Sequence, residues 1–334
     1  MAFTRILGQN LATQIIGSAI KNSSVAHAYL FYGPESIGKK LAAIEFAKAL
    51  NCTAPGADGA CDACASCRKI EQRIHPDFFL LEPTKTTPSA KEGAIRIDDV
   101  RELQKKLGLQ PYEGKTKVAV VDSTELMNLQ AGNSFLKTLE EPSPATVLIL
   151  IASNLHQLLP TVISRCQRIQ FRPLPSEVIK QILKSQGDIG QEDLDLRAAY
   201  SRGQVSRALE YNTAQSNQYR QELVKMIETV SLDHVEVVFE WARVWSKQSD
   251  TLSTVLDQLM SLLRDLAYIK TTSNPNDLYS KDLAKQLKPL AVKKTLPELL
   301  NMFDSVQQTK YALLANANTQ LSLENMFLRF CDAA

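Results

Sequence analysis

Residues 27–40 read HAYLFYGPESIGKK: an apolar run, a glycine-bounded loop and two lysines. The run is continuous enough for a strand buried on both faces, and the spacing G-x-x-x-x-G-K, from Gly33 through Gly38 to Lys39, reads as a phosphate-binding loop opening a helix. Glycines let backbone N–H groups face phosphate oxygens, the helix N-terminus adds partial positive charge, and Lys39 can reach the outer phosphates. One position breaks the pattern. Where a Ser or Thr hydroxyl holds magnesium in such loops, residue 40 is Lys.

Outward from this loop, the same strand-then-helix rhythm continues. Strand-like runs occupy 78–82, 117–122, 146–153 and 167–174, and helical periodicity fills 39–50, 97–107 and 125–141, the last stopped by Pro142. Apolar stretches as unbroken as 118–121 and 147–151 suit the middle of a parallel sheet. The expected architecture of residues 1–175 is therefore an α/β domain, a parallel sheet with flanking helices. Beyond Pro175 strand signals almost vanish. Residues 176–213 read as a small helical unit and 214–334 as amphipathic helices, with Val255, Leu256, Leu259, Met260, Leu263 and Leu266 on one face of a bundle. The segment 272–277, TSNPND, reads as a connecting loop.

Composition narrows the class. The chain has 334 residues, 44% hydrophobic and 22% charged, with a net charge of +2, so any nucleic-acid contact rests on a local patch rather than a global field. Lys105, Lys106, Lys115 and Lys117 are one candidate patch, or else a solvated helix and turn. No run approaches the ~20 apolar residues of a membrane span and the N-terminus has no signal-peptide core, so a cytoplasmic location is expected.

Four of the six cysteines crowd into residues 52–67 as Cys52-x8-Cys61-x2-Cys64-x2-Cys67, separated by small and turn-forming residues. Tetrahedral zinc takes four thiolates, and the pattern favours it over an iron–sulfur cluster or free thiols. A closed set of four leaves no open position, so such an ion is structural. His75 lies nearby but the four cysteines already fill the shell; His27, His156 and His234 are isolated and read as structural.

Turnover of a nucleotide needs a hydroxyl and a carboxylate on magnesium and a group to orient water. Lys40 lacks the hydroxyl. Asp122, ending the run VAVVD, can still approach a metal, but residue 123 is Ser, and Glu125, two places further on, is expected to point elsewhere.

Taken together, HAYLFYGPESIGKK, the four-cysteine insert, HPD at 75–77, FLKTLEEP at 135–142 and LLPTVISRCQRIQF at 158–171 resemble the bacterial clamp-loader family of AAA+ proteins, its delta-prime branch in particular. The likeness is good over the first 175 residues and returns in ANANTQLSLENMFLRF near the end; residues 214–300 match only in helical character. The resemblance implies an AAA+ module with a zinc insert, a helical lid and an all-α collar that joins five subunits in a ring. In that family the SRC motif, here Ser164, Arg165 and Cys166, sits at a subunit boundary, and its arginine reaches ATP on the neighbour. It also implies that Asn154 (or Ser153) stands where the family senses the γ-phosphate, that Ser206, beside Arg207, stands where active subunits carry a sensing arginine, and that Ile6–Gln9 lies against adenine. AAA+ ATPases carry a water-activating glutamate where this chain has Ser123.

The reading that follows is a scaffold that does not hydrolyse ATP, although ATP or ADP can occupy Gly33, Gly38, Lys39, Lys40, Asp122 and Asn154. It donates Arg165 to a gamma/tau motor subunit, beside a delta subunit, as the sliding clamp is loaded onto primer-template DNA. An active gamma/tau-like ATPase and an independent zinc-dependent nucleic-acid binding module are the alternatives.

Overall fold

The computed structural model describes residues 3–56, 59–84, 93–211, 213–230, 235–247, 249–272, 278–315 and 317–332. Two compact units emerge: Met1–Ile179 with Gly203–Val205, and Lys180–Arg202 with Ser206–Ala334.

In the first unit every apolar run expected to be a strand is one: β1 (Ala28–Tyr32), β2 (Phe78–Leu81), β3 (Lys117–Val121), β4 (Thr146–Ala152) and β5 (Gln167–Gln170). They form one sheet in the order β2-β3-β4-β1-β5, and every pairing is parallel. Strands β3 and β4 are buried along their whole length, which is why their sequences are apolar without alternation. The last strand is shorter than its run and ends at Gln170.

The helices of this unit are α1 (Asn10–Lys21), α2 (Lys39–Asn51), α3 (Ala65–Glu71), α4 (Ile97–Leu107), α5 (Leu129–Glu140) and α6 (Pro160–Ile163). Helix α4 occupies the predicted stretch and carries Val100, Leu103 and Leu107 into the core. The stretch from 125 is divided. A 3-10 turn holds Thr124–Leu126, and α5 starts only after Asn128, whose Oδ1 accepts the N–H of Ala131 at 2.8 Å. A side-chain cap satisfies a helix N–H that otherwise has no partner, which fixes the start there.

Helix α7 (Ser176–Gln186) crosses the division between the units. The stretch 192–211 is two helices, α8 (Gln191–Tyr200) and α9 (Val205–Glu210), broken at Gly203. That glycine has φ +77°, and a Cβ on it would lie 2.6 Å from the N of Leu174. Helices α10 (Thr213–Thr229), α11 (Val235–Ser246), α12 (Ser249–Thr271), α13 (Ala284–Lys293), α14 (Leu296–Leu314) and α15 (Thr319–Asp332) follow. On α12 the predicted apolar face is buried at Val255, Leu256, Leu259, Leu263 and Leu266, with Met260 packed at its margin. It packs against α13 and α14, while α11 packs on α15, where the ring of Trp245 meets Phe327 edge-on at 5.2 Å. His234 and residues 273–277 of the expected loop lie outside the described residues. Among the described residues, no helix is long and apolar enough to cross a membrane.

Candidate functional site

The phosphate loop leaves the C-terminal end of β1 and enters α2, as its sequence predicted. Gly33 has φ +143°, and a Cβ there would stand 2.2 Å from the carbonyl oxygen of Phe171. Gly38 precedes the helix at φ +98°. Gln9 braces the loop from outside: its Nε2 donates to Ile37 O at 3.1 Å and Arg172 O at 2.7 Å, and its Oε1 accepts from Arg172 N at 3.1 Å. Of the ILGQ segment, Ile6 is core, while Leu7 lines a cavity of about 910 Å³ with α1 and the cysteine loop.

The two lysines have opposite fates. Lys39 is buried, and its ammonium donates to the carbonyls of Gly33 and Pro34 within its own loop. Burial lowers its pKa, opposed by the charges of Glu125, Glu35 and Asp122. Lys40 turns the other way and places its Nζ 3.0 Å from Asp122 Oδ2 and in contact with Glu82. Burial works against its charge, but hydrogen bonds to Glu82 and Asp122 outweigh it and raise the pKa. A tethered cation thus sits on the one carboxylate that the sequence offered to magnesium.

Glu125 departs from expectation. Ser123 adopts left-handed backbone (φ +53°), which breaks the strand alternation, and the 3-10 turn after it swings Glu125 back to the end of β4. There its Oε1 accepts the N–H of Ser153 at 2.8 Å and the Ser153 hydroxyl, while Oε2 is buried without a partner. Sequence reasoning missed this because the direction of Glu125 is set by the left-handed Ser123 and the 3-10 turn after it, which sequence distance alone does not reveal. Asn154 is used locally, its Oδ1 accepting His156 N at 3.0 Å. In the second unit, Arg207 donates to Asp257 Oδ2 at 3.1 Å.

Gly33, Gly38, Lys39, Lys40, Asp122 and the Ser153–Asn154 pair therefore gather at the C-terminal ends of β1, β3 and β4, the usual ligand edge of an open parallel sheet. Arg165 is not among them. It follows α6 and precedes β5, whose first residue, Gln167, pairs with Tyr29 near the start of β1. Tyr29 is four strand residues, about 13 Å, from Gly33, and Arg165, two residues before Gln167, thus lies at the opposite end of the sheet from the loop. Its guanidinium donates to Thr161 O at 3.0 Å and contacts Glu140, and its side chain remains 34% exposed. Cys166 is tucked behind it, packed against the core, with burial pushing its thiol up to about 12.

The cysteine cluster is built from the far end of α2. Cys52 ends that helix, Cys64 caps α3 and Cys67 lies within it; the four Sγ atoms all lie within 4.8 Å of one another. Sulfurs on tetrahedral zinc with ~2.3 Å bonds are about 3.8 Å apart, so the arrangement can hold a metal ion. Successive backbone N–H groups already point at the sulfurs: Cys61 N to Cys52 Sγ at 3.4 Å, Cys64 N to Cys61 Sγ at 3.3 Å and Cys67 N to Cys64 Sγ at 3.4 Å. Burial opposes ionisation of Cys64, but hydrogen bonds from Cys67 and Thr53 bring it down to about 5. His75 is spent elsewhere, its Nδ1 accepting from Asp77 N at 3.1 Å.

Charged side chains fasten this insert. Lys48, only 1% exposed, meets Glu45 at 2.8 Å, Asp62 at 2.5 Å and Glu71 at 2.7 Å, and Arg5 meets Glu45 at 2.8 Å and Glu71 at 3.0 Å. Hydrogen bonds from Arg5 and then Lys48 hold Glu71 at about 2. The expected basic patch loses a member, because Lys117 is buried and donates to the carbonyls of Leu107 and Leu109, capping the end of α4. Lys106 pairs with Glu102 at 2.7 Å.

Comparison with known proteins places the chain in a family. Residues 8–175 match the family described as DNA polymerase III, delta subunit, and residues 214–332 match its C-terminal counterpart. A DNA polymerase III subunit delta' from Pseudomonas aeruginosa is 32% identical over 311 residues, 92% of both chains. One from Bacillus subtilis is 29% identical over 319 residues, 94% of both. The tau subunit of Bacillus subtilis is 31% identical over 212 residues, 62% of this chain and 36% of its own. The chain belongs to the delta' family of DNA polymerase III clamp-loader subunits.

Proposed function

We propose that this chain is a subunit that does not hydrolyse ATP in its own phosphate loop and that lends Arg165 to the nucleotide site of a neighbouring gamma/tau motor subunit. The observation that carries the reading is the position of Arg165: it stands at the end of the β1–β5 pair remote from its own loop, on the surface. An arginine there serves a phosphate only across an interface, where its fixed charge and planar fork stabilise negative charge on the transferring group. The loop itself supports the other half. Lys40 lies on Asp122 and Glu82, where a divalent cation would need those oxygens, and Arg207 is engaged by Asp257.

Residues 1–175, 176–213 and 214–334 then act as AAA+ module, lid and collar in a five-membered ring with motor and delta subunits, loading a sliding clamp onto primer-template DNA in the cytoplasm. Lys105, Lys106 and Lys115 are the exposed candidates for DNA backbone contact. Cys52, Cys61, Cys64 and Cys67 hold structural zinc, which cross-links the insert when bound.

A second reading, an active ATPase, has one observation in its favour. Glu125 carries an unpartnered carboxylate oxygen, and its charge bears on Lys39.

One experiment separates the two. DNA-stimulated ATP turnover is measured for the isolated chain and for its mixture with motor and delta subunits, with wild type and Arg165→Ala. The scaffold reading expects negligible turnover alone and a loss in the mixture on substitution. Turnover by the isolated chain supports the second reading; a mixture indifferent to Arg165→Ala sinks the trans-arginine role. For the metal, less than about half an equivalent of zinc in chelator-free protein counts against the site.

A further inference from the structure

The second unit contains a cavity of about 310 Å³ between α8, α9, α10 and α12. That is the lower end of the range for small-molecule sites, roughly 300–1,000 Å³. One wall is Gln258 of α12, 2% exposed, whose Nε2 and Oε1 are both without a hydrogen-bond partner. A buried carboxamide with neither its donor nor its acceptor satisfied is uncommon and points to something that occupies the space.

The remaining walls define what fits. Arg202 and Arg207 both lean on Asp257: Arg202 donates to Asp257 Oδ1 at 3.3 Å and Asp257 O at 3.0 Å, and Arg207 to Asp257 Oδ2 at 3.1 Å. Lys310 contacts the same carboxylate, so one acid is shared by three cations. Glu210 brings a second negative charge; three positive and two negative groups leave an excess of one positive charge. Among the described residues, Arg207 spends one of its five donors on Asp257, and the others can meet an oxyanion. Tyr219 and the stacked pair Tyr200 and Tyr211, ring centroids 5.3 Å apart, provide an aromatic side. The pair is stiffened from behind by Arg220, 1% exposed, over Tyr200 at 5.2 Å. Hydroxyls of Ser253 and Thr254 complete the lining.

An aromatic wall, a side-by-side donor and acceptor, hydroxyls and an arginine fork are the complement of a base, a sugar and a phosphate. We propose that this cavity binds a nucleoside monophosphate, its base edge on the Gln258 amide and its phosphate on Arg207 and Arg202. The site is built wholly from the second unit and is separate from the phosphate loop.

The test is equilibrium binding of AMP to the full chain, with adenosine and inorganic phosphate as partial probes. The backbone and lysine of a phosphate loop cradle the β- and γ-phosphates, which a monophosphate lacks, so AMP discriminates between the two sites. The expectation is one saturable AMP site, weakened about tenfold or more in Gln258→Leu and in Arg207→Ala and unchanged in Lys39→Ala, since loss of one buried hydrogen-bonded contact is worth about that factor. If Gln258→Leu fails to fold, Arg207→Ala decides. Absence of saturable binding at millimolar AMP overturns the proposal, the amide then being served by water. So does binding that disappears with Lys39→Ala, or that survives Arg207→Ala.

Discussion

The two ends of the β1–β5 pair carry the same kinds of side chain and use them differently. At the C-terminal end the two loop lysines and Glu125 find partners inside the chain: Lys39 on two loop carbonyls, Lys40 on Asp122 and Glu82, Glu125 through its Oε1 on Ser153. At the N-terminal end Arg165 has a backbone carbonyl and one carboxylate, Glu140, itself 48% exposed. Exposed ion pairs are worth at most about 1 kcal/mol, because water competes for both partners. A neighbouring phosphate can therefore recruit Arg165 cheaply, whereas Lys40 leaves two carboxylates behind if it moves. The difference teaches that a charged residue is available to a partner according to what it abandons.

The largest test of this contrast is Arg165→Ala. On the proposed role, turnover at one neighbouring site is expected to fall by about a thousandfold or more, with assembly intact by gel filtration and the other sites unaffected; single-site ATPase measurements check it. Next is Gly33→Ala, which puts a methyl group against the backbone of Phe171 in a conformation that L residues rarely adopt. It should cost about 2–3 kcal/mol or more in urea unfolding, and a loss below ~0.5 kcal/mol would show that the loop is not held as tightly as described.

A smaller effect is expected from Lys40→Thr. Removing the ammonium frees Asp122 and Glu82 and restores a hydroxyl, so nucleotide affinity should become magnesium-dependent, by about tenfold between EDTA and magnesium, while wild type shows less than about twofold. Equal magnesium response in both proteins would break the comparison.

The smallest concerns pH. Glu71 ionises at about 2 in the folded chain against an ordinary 4.5, so its contribution is fully present above 4.5 and is lost as pH falls through about 2. Wild type and Glu71→Gln should differ in melting temperature at pH 6 by a degree or two, about what a half-exposed pair gives, and converge toward pH 2.

Much of this was legible beforehand. The five strands, the loop and the four cysteines are local patterns, and each appears where its spacing put it. What escaped was pairing across sequence distance. Nothing in GKK announces that Lys40 meets Glu82, 42 positions away, or that Gln9 braces Arg172. Lys117 reads as surface because lysines usually are, yet it opens β3 beside the C-terminal end of α4, whose last carbonyls attract a cation. Glu125 was misread for a different reason, a single left-handed residue resetting the direction of the chain. Cys166 and Arg165 are adjacent but face opposite ways, one anchored, one offered.

Helix α2 begins at Lys39 and ends beside Cys52. Each helical residue turns the chain by about 100° and advances it by about 1.5 Å, so thirteen residues make a rod about 20 Å long with a fixed phase between its ends. Its length therefore acts like the tooth count of a gear. Adding one residue in the middle would leave both terminal motifs intact as text, yet rotate Lys40 a quarter-turn away from Asp122 or drag Cys52 out of register with its three companions.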